Sequence, residues 1–427
     1  MDDYRKRAAD RLLAKKLKSA GAVLIEGPKW CGKTTTAEQM AESILYMDNP
    51  DRREQNLRMA EIKPSILLSG EKPRLIDEWQ IAPSLWDSIR FAVDHGGGEG
   101  SFILTGSSVP AGLSKTWHSG TGRFARIRMR TMSLYESGES NEEVSIKSLF
   151  EDNPGESLAS ASAIGIESLA YLVCRGGWPR AVLKSDMETA LDQALNYYES
   201  VVTTDISRSD GVKRNEQRTR ALMRSYARNQ GTQASIRALR ADMEAHDSVS
   251  IDEDTVSSYI NALKRIFVIE DLPAWKPSLR SKTVIRTSDT RYFSDPSIAA
   301  QALGIVPKDL IYDLNTFGLM FETMCIRDLR IYADALGGRL YHYRDKSGLE
   351  CDAVLHLNNG DYGLIEIKLG GDTLIEHGAK TLKELAGRID TGRMHAPSFL
   401  MVLTGTDSYA YQRKDGVYVV PLGCLRE

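Results

Sequence analysis

The chain has 427 residues, which is more than a single hydrophobic core usually serves, so two or three domains are expected. Hydrophobic residues make up 42% and charged residues 26% of the chain, which are ordinary values for a globular protein and exclude a mainly disordered or fibrous one. A formal net charge of -3 provides no overall field that would attract nucleic acid.

The cysteines and the amino-terminal sequence indicate the cell compartment. The five cysteines are odd in number and form no Cys-x-x-Cys pair, so neither a disulfide framework nor a zinc site is predicted. The charged start of the chain lacks an apolar signal core, and no uninterrupted apolar stretch is long enough to span a bilayer. We therefore expect a cytoplasmic protein with reduced thiols and no membrane partner.

Short apolar strands alternate with helical patterns in the amino-terminal third of the chain. Strands are predicted at 22–26, 74–76 and 101–104, and the first leads through a glycine-containing turn into a helix from Lys33 onward. This alternation is typical of a parallel sheet. The sequence therefore predicts an α/β domain over residues 1–165, closed by a surface loop or linker at 136–165, where Ser, Glu, Gly and Asn are frequent.

A helical region is predicted for residues 166–312. Residues 167–241 have mostly helical patterns, and a further helix is expected to begin with Asp254 at its cap. β-like pieces follow at 267–272 and 283–286. Helices followed by a two-stranded ribbon suit a helical lid or a winged-helix module.

A third domain, of α/β class, is predicted for residues 313–427. It begins with a helix from Asn315 and ends with short closing strands. Between them the pattern predicts three strands and one helix, at 340–343, 351–356, 362–369 and 372–388 respectively.

Residues 27–34 fit the pattern G-x-x-x-x-G-K-[ST] between a strand and a helix. The glycines let backbone amides turn toward a phosphate, the Lys33 ammonium reaches the β- and γ-phosphate oxygens, and the Thr34 hydroxyl ligates Mg²⁺. The alternative is a chance match in a glycine-containing turn. The sequence predicts a site for ATP and Mg²⁺ formed by Gly27, Pro28, Lys29, Trp30, Cys31, Gly32, Lys33, Thr34 and Thr35.

Two carboxylates end the predicted strand at 74–76. Asp77 is expected to help hold the Mg²⁺ ion, and Glu78 is expected to polarise the water that attacks the γ-phosphate. Adjacent acids at this position are also common at the start of a helix. Because a phosphate-binding pattern precedes them, we favour the functional interpretation, which predicts ATP hydrolysis.

Polar residues after the third predicted strand extend this site. Thr105 or Ser107 is expected to contact the γ-phosphate, although a plain polar turn is an equal alternative. Arg123 is a candidate arginine finger, which would be supplied by a neighbouring subunit and would require a homo-oligomer. The alternative for Arg123 is a solvated surface charge.

Several segments together resemble a known family. They are GPKWCGKTTTA, RLIDEWQIAPSLWDSIRFAVD, FILTGSS, SGTGRFARIRMRTMSLYE, GGWPRA, FETMCIRDLR, YRDKSGLECDAVL, LIEIKLG and DGVYVVPLGCL. The chain resembles prokaryotic AAA-type ATPases whose carboxy-terminal half is a domain of unknown function related to PD-(D/E)xK nucleases. The resemblance covers nearly the whole chain and implies an AAA-type ATP site at Lys33, Thr34, Asp77 and Glu78, with Arg123 in the family's Gly-Arg position. Lys29-Trp30-Cys31 departs from the family pattern, which often has Arg and small residues at these positions.

The carboxy-terminal domain carries a second candidate site. The two-residue period of a strand places Glu366 and Lys368 on one face. With Asp352 and Glu322, this face predicts an Mg²⁺ site in which Asp352 and Glu366 are ligands, Lys368 orients a hydroxide and Glu322 assists. The family resemblance implies the same arrangement, whose matching reaction is DNA cleavage. The alternatives are an exposed ion pair and a domain that kept these residues for folding or recognition.

Three functions follow from these motifs. The first is an ATPase whose nucleotide cycle controls a DNA-binding or DNA-cleaving carboxy-terminal domain. The second is an ATP-dependent regulatory or recognition protein with a catalytically silent nuclease-like domain. A small-molecule kinase is the weakest, because no acceptor-binding lid is recognisable. A row of arginines in the middle region either contacts phosphates or forms a solvated face: Arg214, Arg218, Arg220, Arg224 and Arg228.

Overall fold

The computed structural model describes residues 4–96, 98–108, 122–151, 160–280 and 284–427. The chain divides into two compact units. The first comprises Met1–Thr131, Thr203–Arg214 and Asn261–Val268, and the second comprises the remainder. The first unit thus combines residues 1–131 with two later segments of the chain. The sequence predicted one continuous domain over residues 1–165 instead.

The first unit is built on a parallel sheet, as predicted. Its strands are β1 (Ala22–Glu26), β2 (Ser43–Tyr46), β3 (Arg74–Asp77), β4 (Phe102–Gly106) and β5 (Phe124–Arg128). They lie in the order β2-β3-β4-β1-β5, and every neighbouring pair is parallel. The helices of this part of the chain are α1 (Ala8–Leu17), α2 (Lys33–Glu38), α3 (Arg53–Ile62) and α4 (Leu85–Asp94). The two edge strands, β2 and β5, were not predicted.

The sheet of the first unit is covered on both faces. Leu24, Ile76 and Leu104 belong to one buried cluster, whereas Val23, Ile25, Leu75 and Ile103 belong to another. Adjacent residues of one strand therefore point to opposite faces, and both faces are apolar. This is the pattern expected of a parallel sheet with helices on either side.

The predicted loop at 136–165 is wrong in its first part. Two short helices, α5 (Leu134–Ser137) and α6 (Ile146–Phe150), flank the two-residue strand β6 (Val144–Ser145) there. Strand β6 pairs in parallel with β13 (Leu425–Arg426) near the carboxy terminus. Polar composition suggested a solvated loop, but buried Leu134, Ile146 and Leu149 dock this segment into the second unit.

The middle of the chain is mostly helical, as predicted. Its helices are α7 (Ile166–Arg175), α8 (Pro179–Val182), α9 (Met187–Ser200), α10 (Ile206–Arg208), α11 (Glu216–Arg228), α12 (Ile236–Asp247), α13 (Glu253–Arg265), α14 (Pro296–Leu303) and α15 (Pro307–Tyr312). A π-helical turn at Val201–Asp205 separates α9 from α10.

The start of helix α13 corrects one prediction. Asp254 lies inside the helix, and the side chain of Asp252 accepts the hydrogen bond from the Thr255 amide at 2.7 Å. A capping carboxylate accepts from the amide three residues later, so Asp252 is the cap.

Antiparallel bridges follow α13, but the predicted piece at 267–272 pairs with residues 290 and 293 rather than with the predicted piece at 283–286. They join Ile269 to Phe293 and Leu272 to Thr290, and Ile285 bridges to Asp345. Thr283, at the start of the predicted piece at 283–286, lies outside the described residues. The winged-helix assignment itself stays a prediction.

The carboxy-terminal part contains a six-stranded mixed sheet. The long helix α16 (Leu314–Ala335) precedes β7 (Gly338–Arg344), β8 (Glu350–Leu357) and β9 (Tyr362–Lys368), and α17 (Asp372–Arg388) follows. The closing strands are β10 (Phe399–Thr404), β11 (Tyr411–Gln412) and β12 (Tyr418–Pro421), and the sheet order is β11-β12-β10-β9-β8-β7. These elements confirm the predicted strands and helix to within a few residues.

Within the described ranges, no helix has both the length and the apolar character needed to cross a bilayer. All five cysteines are buried and carry free thiols. His342 and Trp178 are buried.

Candidate functional site

The phosphate-binding pattern follows β1 and ends in α2. A Cβ atom on Gly27 would lie 2.0 Å from the carbonyl oxygen of Met129. Any other residue at this position would therefore clash with the backbone. Gly32 has a φ of 98°, which is a left-handed conformation that glycine adopts without strain, and it precedes the helix. The two glycines of the motif therefore serve a close approach and a turn, which shape a loop of backbone amides.

Three polar side chains converge at the carboxyl ends of the strands. The Thr34 hydroxyl donates to Asp77 Oδ1 at 2.7 Å, and the Thr105 hydroxyl donates to the same carboxylate oxygen. Lys33 is buried, and its ammonium donates to the carbonyl oxygen of Pro28 at 2.7 Å. The structure thus brings together Lys33, Thr34 and Asp77, which the sequence had assigned to one site.

Glu78 lies beside this group with a φ of 53°. Its backbone amide donates to the Thr105 hydroxyl at 3.2 Å, and its carboxylate oxygen Oε2 accepts from Ser107 at 3.0 Å and from the Gln80 side-chain amide. A left-handed conformation is unusual for glutamate and is found most often where function requires a particular side-chain direction. Thr105 and Ser107 are therefore bonded to the two acids of the site.

The remaining residues of the predicted loop differ in their exposure. Pro28 and Cys31 are buried, Lys29 is partly buried, and Thr35 is exposed. Lys29 forms an ion pair with Asp205 at 2.5 Å. Trp30 is 42% exposed.

Arg123 lies far from the phosphate-binding loop of its own chain. Its carbonyl oxygen accepts from Ala22, the first residue of β1, whereas the loop follows the last residue of that strand. A strand of five residues separates these two ends by roughly 15 Å. The Arg123 guanidinium pairs with Asp94 at 2.8 Å, which holds the pKa of that carboxyl below its usual value. Arg123 therefore cannot reach a nucleotide bound to its own loop in this arrangement.

The carboxy-terminal candidate residues lie on neighbouring strands. The Lys368 ammonium is 2.6 Å from Glu366 Oε2 and 3.1 Å from Asp352 Oδ2. Asp352 Oδ2 also accepts the Ile367 backbone amide at 2.7 Å. Glu366 is 2% exposed, so the alternative of an exposed ion pair is wrong. One lysine ammonium thus contacts two carboxylates in a largely buried setting.

Glu322, on α16, belongs to the same electrostatic group. Burial raises its pKa to about 8, and the charge of Asp352 adds to the increase. Its carboxylate accepts from the Tyr292 hydroxyl. Burial also raises the pKa of Glu366 well above its usual value. Burial alone would lower the pKa of the Lys368 ammonium, but the negative charges of Asp352 and Glu366 have the larger combined effect and raise it.

The predicted three-carboxylate metal site is not assembled. Among the residues that the structure describes, no group of three or more His, Cys, Asp or Glu side chains is arranged to hold a metal ion. The cause is local, because Lys368 lies between Asp352 and Glu366, and Glu322 is bonded to Tyr292. The carboxylates therefore lack the common open coordination position that Mg²⁺ requires.

Most arginines of the predicted basic row are paired with acids. Arg220 binds Glu199 at 2.6 Å, and Arg224 binds Asp247 at 2.5 Å. Arg228 binds Asp242 at 2.6 Å. These ion pairs neutralise most of the arginines in the predicted basic row. They therefore favour a solvated face over a phosphate-binding one.

Three residues that contribute to the first site were not predicted from the sequence. Gln80 lies only two positions after Glu78 and could have been found by its proximity, but its type carries no specific signal. Arg7 and Asp205 contact the phosphate-binding loop from segments that are distant along the chain. No local pattern marks either of them.

Family comparisons assign the amino-terminal region. A family model described as an AAA domain matches residues 19–138. Two models described as domains of unknown function (DUF8612 and DUF4143) match residues 166–309 and 317–425. Residues 19–138 thus match an AAA domain, in agreement with the predicted AAA-type region, whereas the nuclease relation of the carboxy-terminal region stays a prediction.

Comparisons with individual proteins give more distant likenesses. Uncharacterized proteins of Mycobacterium bovis and Mycobacterium tuberculosis are each 24% identical over 368 residues, covering 85% of this chain and 74% of the relative. A Walker-type ATPase of Pyrococcus abyssi aligns with a TM-score of 0.43 at 14% identity, covering 70% of this chain and 96% of that one. A RuvB variant of Thermotoga maritima aligns with a TM-score of 0.30 at 18% identity, covering 64% and 91%. Both structural likenesses are partial.

Replacing Glu322 by glutamine should make the folded protein less sensitive to alkaline pH. The folded pKa of about 8 lies above the ordinary value of 4.5, so the protonated carboxyl stabilises the fold below pH 4.5, and this contribution is lost as the pH rises through 8. The free energy of unfolding of Glu322→Gln, relative to the wild type, should therefore increase between about pH 5 and about pH 8.5 by on the order of a few kcal/mol.

Thermal unfolding followed by circular dichroism in EDTA measures this difference. Glu216→Gln removes the same charge at an exposed position and should show no such increase. If the free energy of unfolding differs by the same amount between Glu322→Gln and the wild type at both pH values, Glu322 is ionised in the folded protein.

Proposed function

We propose that the protein is a Mg²⁺-dependent ATPase and that the AAA-type domain carries the reaction. The observation that supports this most strongly is the hydrogen bond of 2.7 Å between the Thr34 hydroxyl and the Asp77 carboxylate beside the phosphate-binding loop. A hydroxyl and a carboxylate in contact form the oxygen donor set that Mg²⁺ prefers in nucleotide sites. Thr34 and Asp77 would hold the ion, which neutralises charge on the phosphates when it is bound.

Each remaining residue of the first site has a proposed role. The amides between Gly27 and Thr34 bind phosphate oxygens, and the Lys33 ammonium exchanges the Pro28 carbonyl for the β- and γ-phosphates. Glu78 accepts the proton of the attacking water. Ser107 and Gln80 both donate to the Glu78 carboxylate and so fix its direction before the substrate binds.

Arg123 is proposed to act on the nucleotide of a neighbouring copy of the chain. Its position at the amino end of β5 excludes its own loop, and its guanidinium is 46% exposed although it pairs with Asp94. An arginine from a neighbour stabilises the charge that develops on the transferred phosphoryl group. The active form would then be a homo-oligomer.

The carboxy-terminal domain is better suited to recognition or regulation than to metal-dependent cleavage. Lys368 already compensates Asp352 and Glu366, and removing it from between them would leave two buried or half-buried carboxylates without a cation. This observation favours the second function inferred from the sequence, in which ATP controls a catalytically silent nuclease-like domain.

Substitutions in the first site should separate ATP binding from hydrolysis. Lys33→Ala should weaken the affinity for ATP about 100-fold, because a charge-assisted contact to the phosphates is lost. Glu78→Gln should keep the affinity within about two-fold and lower kcat by about 100-fold or more, because the general base is lost. Phosphate release and equilibrium binding measure the two effects. Lys15→Ala, on the exposed surface of α1, is the matched control, and unchanged turnover in Lys33→Ala would contradict the proposal.

Mixing two inactive variants should restore activity if Arg123 acts between subunits. Arg123→Ala should lower kcat by about 1,000-fold without loss of ATP binding, since an arginine finger contributes that much. In a mixture with Glu78→Gln, one type of interface combines an intact Glu78 with an intact Arg123. ATP turnover of the mixture should therefore exceed the sum of the separate rates. No gain on mixing, under conditions where the subunits exchange, would contradict an action between subunits.

The proposal for the carboxy-terminal domain has its own test. The purified protein, incubated with Mg²⁺ or Mn²⁺ and with linear duplex or single-stranded DNA, should leave the DNA intact. Asp352→Ala serves as the control for contaminating nucleases. Cleavage that requires the metal and disappears in Asp352→Ala would overturn the assignment and restore the nuclease prediction.

A further inference from the structure

The phosphate-binding loop contains a strained residue between two held neighbours. Trp30 has a φ of 65°, a left-handed conformation that is rarely adopted by a bulky residue. Such a conformation persists only where the surrounding structure fixes it. The two residues that flank Trp30, Lys29 and Cys31, are each bound by a charged side chain from outside residues 19–138.

Asp205 holds the residue before Trp30. Its carboxylate oxygen Oδ1 is 2.5 Å from the Lys29 ammonium, and its side chain is only 6% exposed, compared with 41% for Lys29. A carboxylate that is so largely buried requires a cationic or hydrogen-bonding partner, so the ion pair has a fixed position. Asp205 ends the π-helical turn Val201–Asp205, and π turns are rare elements that occur mainly at functional sites.

Arg7 holds the residue after Trp30. Its guanidinium donates to the Cys31 carbonyl at 2.9 Å through Nη1 and to the Arg130 carbonyl at 2.9 Å through Nη2. Arg7 is 6% exposed and immediately precedes α1. The rigid fork of a guanidinium fixes the spacing between the two carbonyl groups, which a lysine could not do. The loop is thereby fixed to the chain that follows β5.

A second contact from the same segment supports this position. The Tyr4 hydroxyl lies 2.9 Å from the Thr36 hydroxyl, in the helix that follows the loop, and donates to Asp10 at 2.6 Å. Thr36 is buried. The amino-terminal segment therefore contacts both the loop and the first turn of its helix, which makes its attachment independent of one hydrogen bond.

We propose that Arg7 and Asp205 are positioning residues that shape the phosphate-binding loop before ATP arrives. This inference rests on the proposed ATPase function. Neither residue touches the nucleotide, since Arg7 acts through the Cys31 carbonyl and Asp205 acts through Lys29. If the loop is already ordered, ATP binding does not have to offset the entropy lost on ordering it, so the affinity for phosphate is higher. The strained Trp30 makes this order depend on the two flanking contacts.

The test is a split between the affinity for ATP and the rate of turnover. Asp205→Asn and Arg7→Ala should each raise the Kd and the KM for ATP about ten-fold, which corresponds to about 1.4 kcal/mol. Their kcat at saturating ATP should stay within about two-fold of the wild type, because bound ATP restores the shape of the loop. Binding of a fluorescent ATP analogue and steady-state phosphate release measure these quantities.

Two matched controls separate positioning from general stability. Asp210→Asn removes ion pairs with Arg214 and Arg265 instead of one with the loop, in the same segment as Asp205, and should leave the Kd unchanged. Lys6→Ala removes an exposed charge beside Arg7 and should also leave it unchanged. If the Kd increases equally in Asp210→Asn and Asp205→Asn, the inference is wrong.

A double variant that restores the ion pair tests the positioning roles even if a single variant fails to fold. Exchanging the two charges, as Lys29→Asp with Asp205→Lys, should recover most of the affinity, and Lys29→Arg alone should retain it. Failure of the exchange in a folded protein would contradict the inference. Loss of ATP binding in Lys33→Ala with unchanged affinity in both Asp205→Asn and Arg7→Ala would overturn the positioning roles and leave the ATPase proposal intact. Unchanged binding in Lys33→Ala would instead overturn the ATPase proposal itself.

Discussion

The hydrogen bond between the Thr34 hydroxyl and the Asp77 carboxylate connects the two sequence motifs of the first site across 43 positions of the chain. Strand β4 lies between β1 and β3 in the sheet, and Thr105 at its end donates to the same carboxylate. A parallel sheet places the carboxyl ends of all its strands at one edge, so the contact depends on the strand order β3-β4-β1. The proposed Mg²⁺ and ATP site therefore follows from the topology of the sheet together with the residue types at the strand ends.

The carboxylates of the two candidate sites have partners of different charge. In the first site, Asp77 accepts from two neutral hydroxyl groups, which leaves its charge available to a cation. In the second, Lys368 supplies the compensating charge for Asp352 and Glu366 from within the chain. Burial raises the pKa of Glu322, and it raises the pKa of Glu366 even though Lys368 contacts that carboxylate. Similar residue types thus support a proposed reaction in one unit and a proposed recognition or regulatory role in the other.

Local patterns predicted the elements of the first site well. Strand β1 and the start of α2 at Lys33 agree with the sequence pattern, because strand, turn and helix signals are contained in about a dozen residues. The partner of Lys29 could not be predicted, since Asp205 lies 176 positions away. The two-residue period placed Glu366 and Lys368 on one face, but not the burial of Glu366. That burial depends on α17, where a Cβ on Gly378 would lie 3.3 Å from the Cβ of Glu366.

A calorimetric titration with a non-hydrolysable ATP analogue, with and without Mg²⁺, tests the central claim most directly when the wild type is compared with Thr34→Val. Valine keeps the shape of threonine and replaces only the hydroxyl group by a methyl group. The wild type should bind one analogue per chain with an affinity that Mg²⁺ strengthens, whereas Thr34→Val should bind with an affinity that hardly depends on Mg²⁺. Absence of binding to the wild type, or the same dependence on Mg²⁺ in both proteins, would contradict the assignment of Thr34 and Asp77 to the nucleotide site.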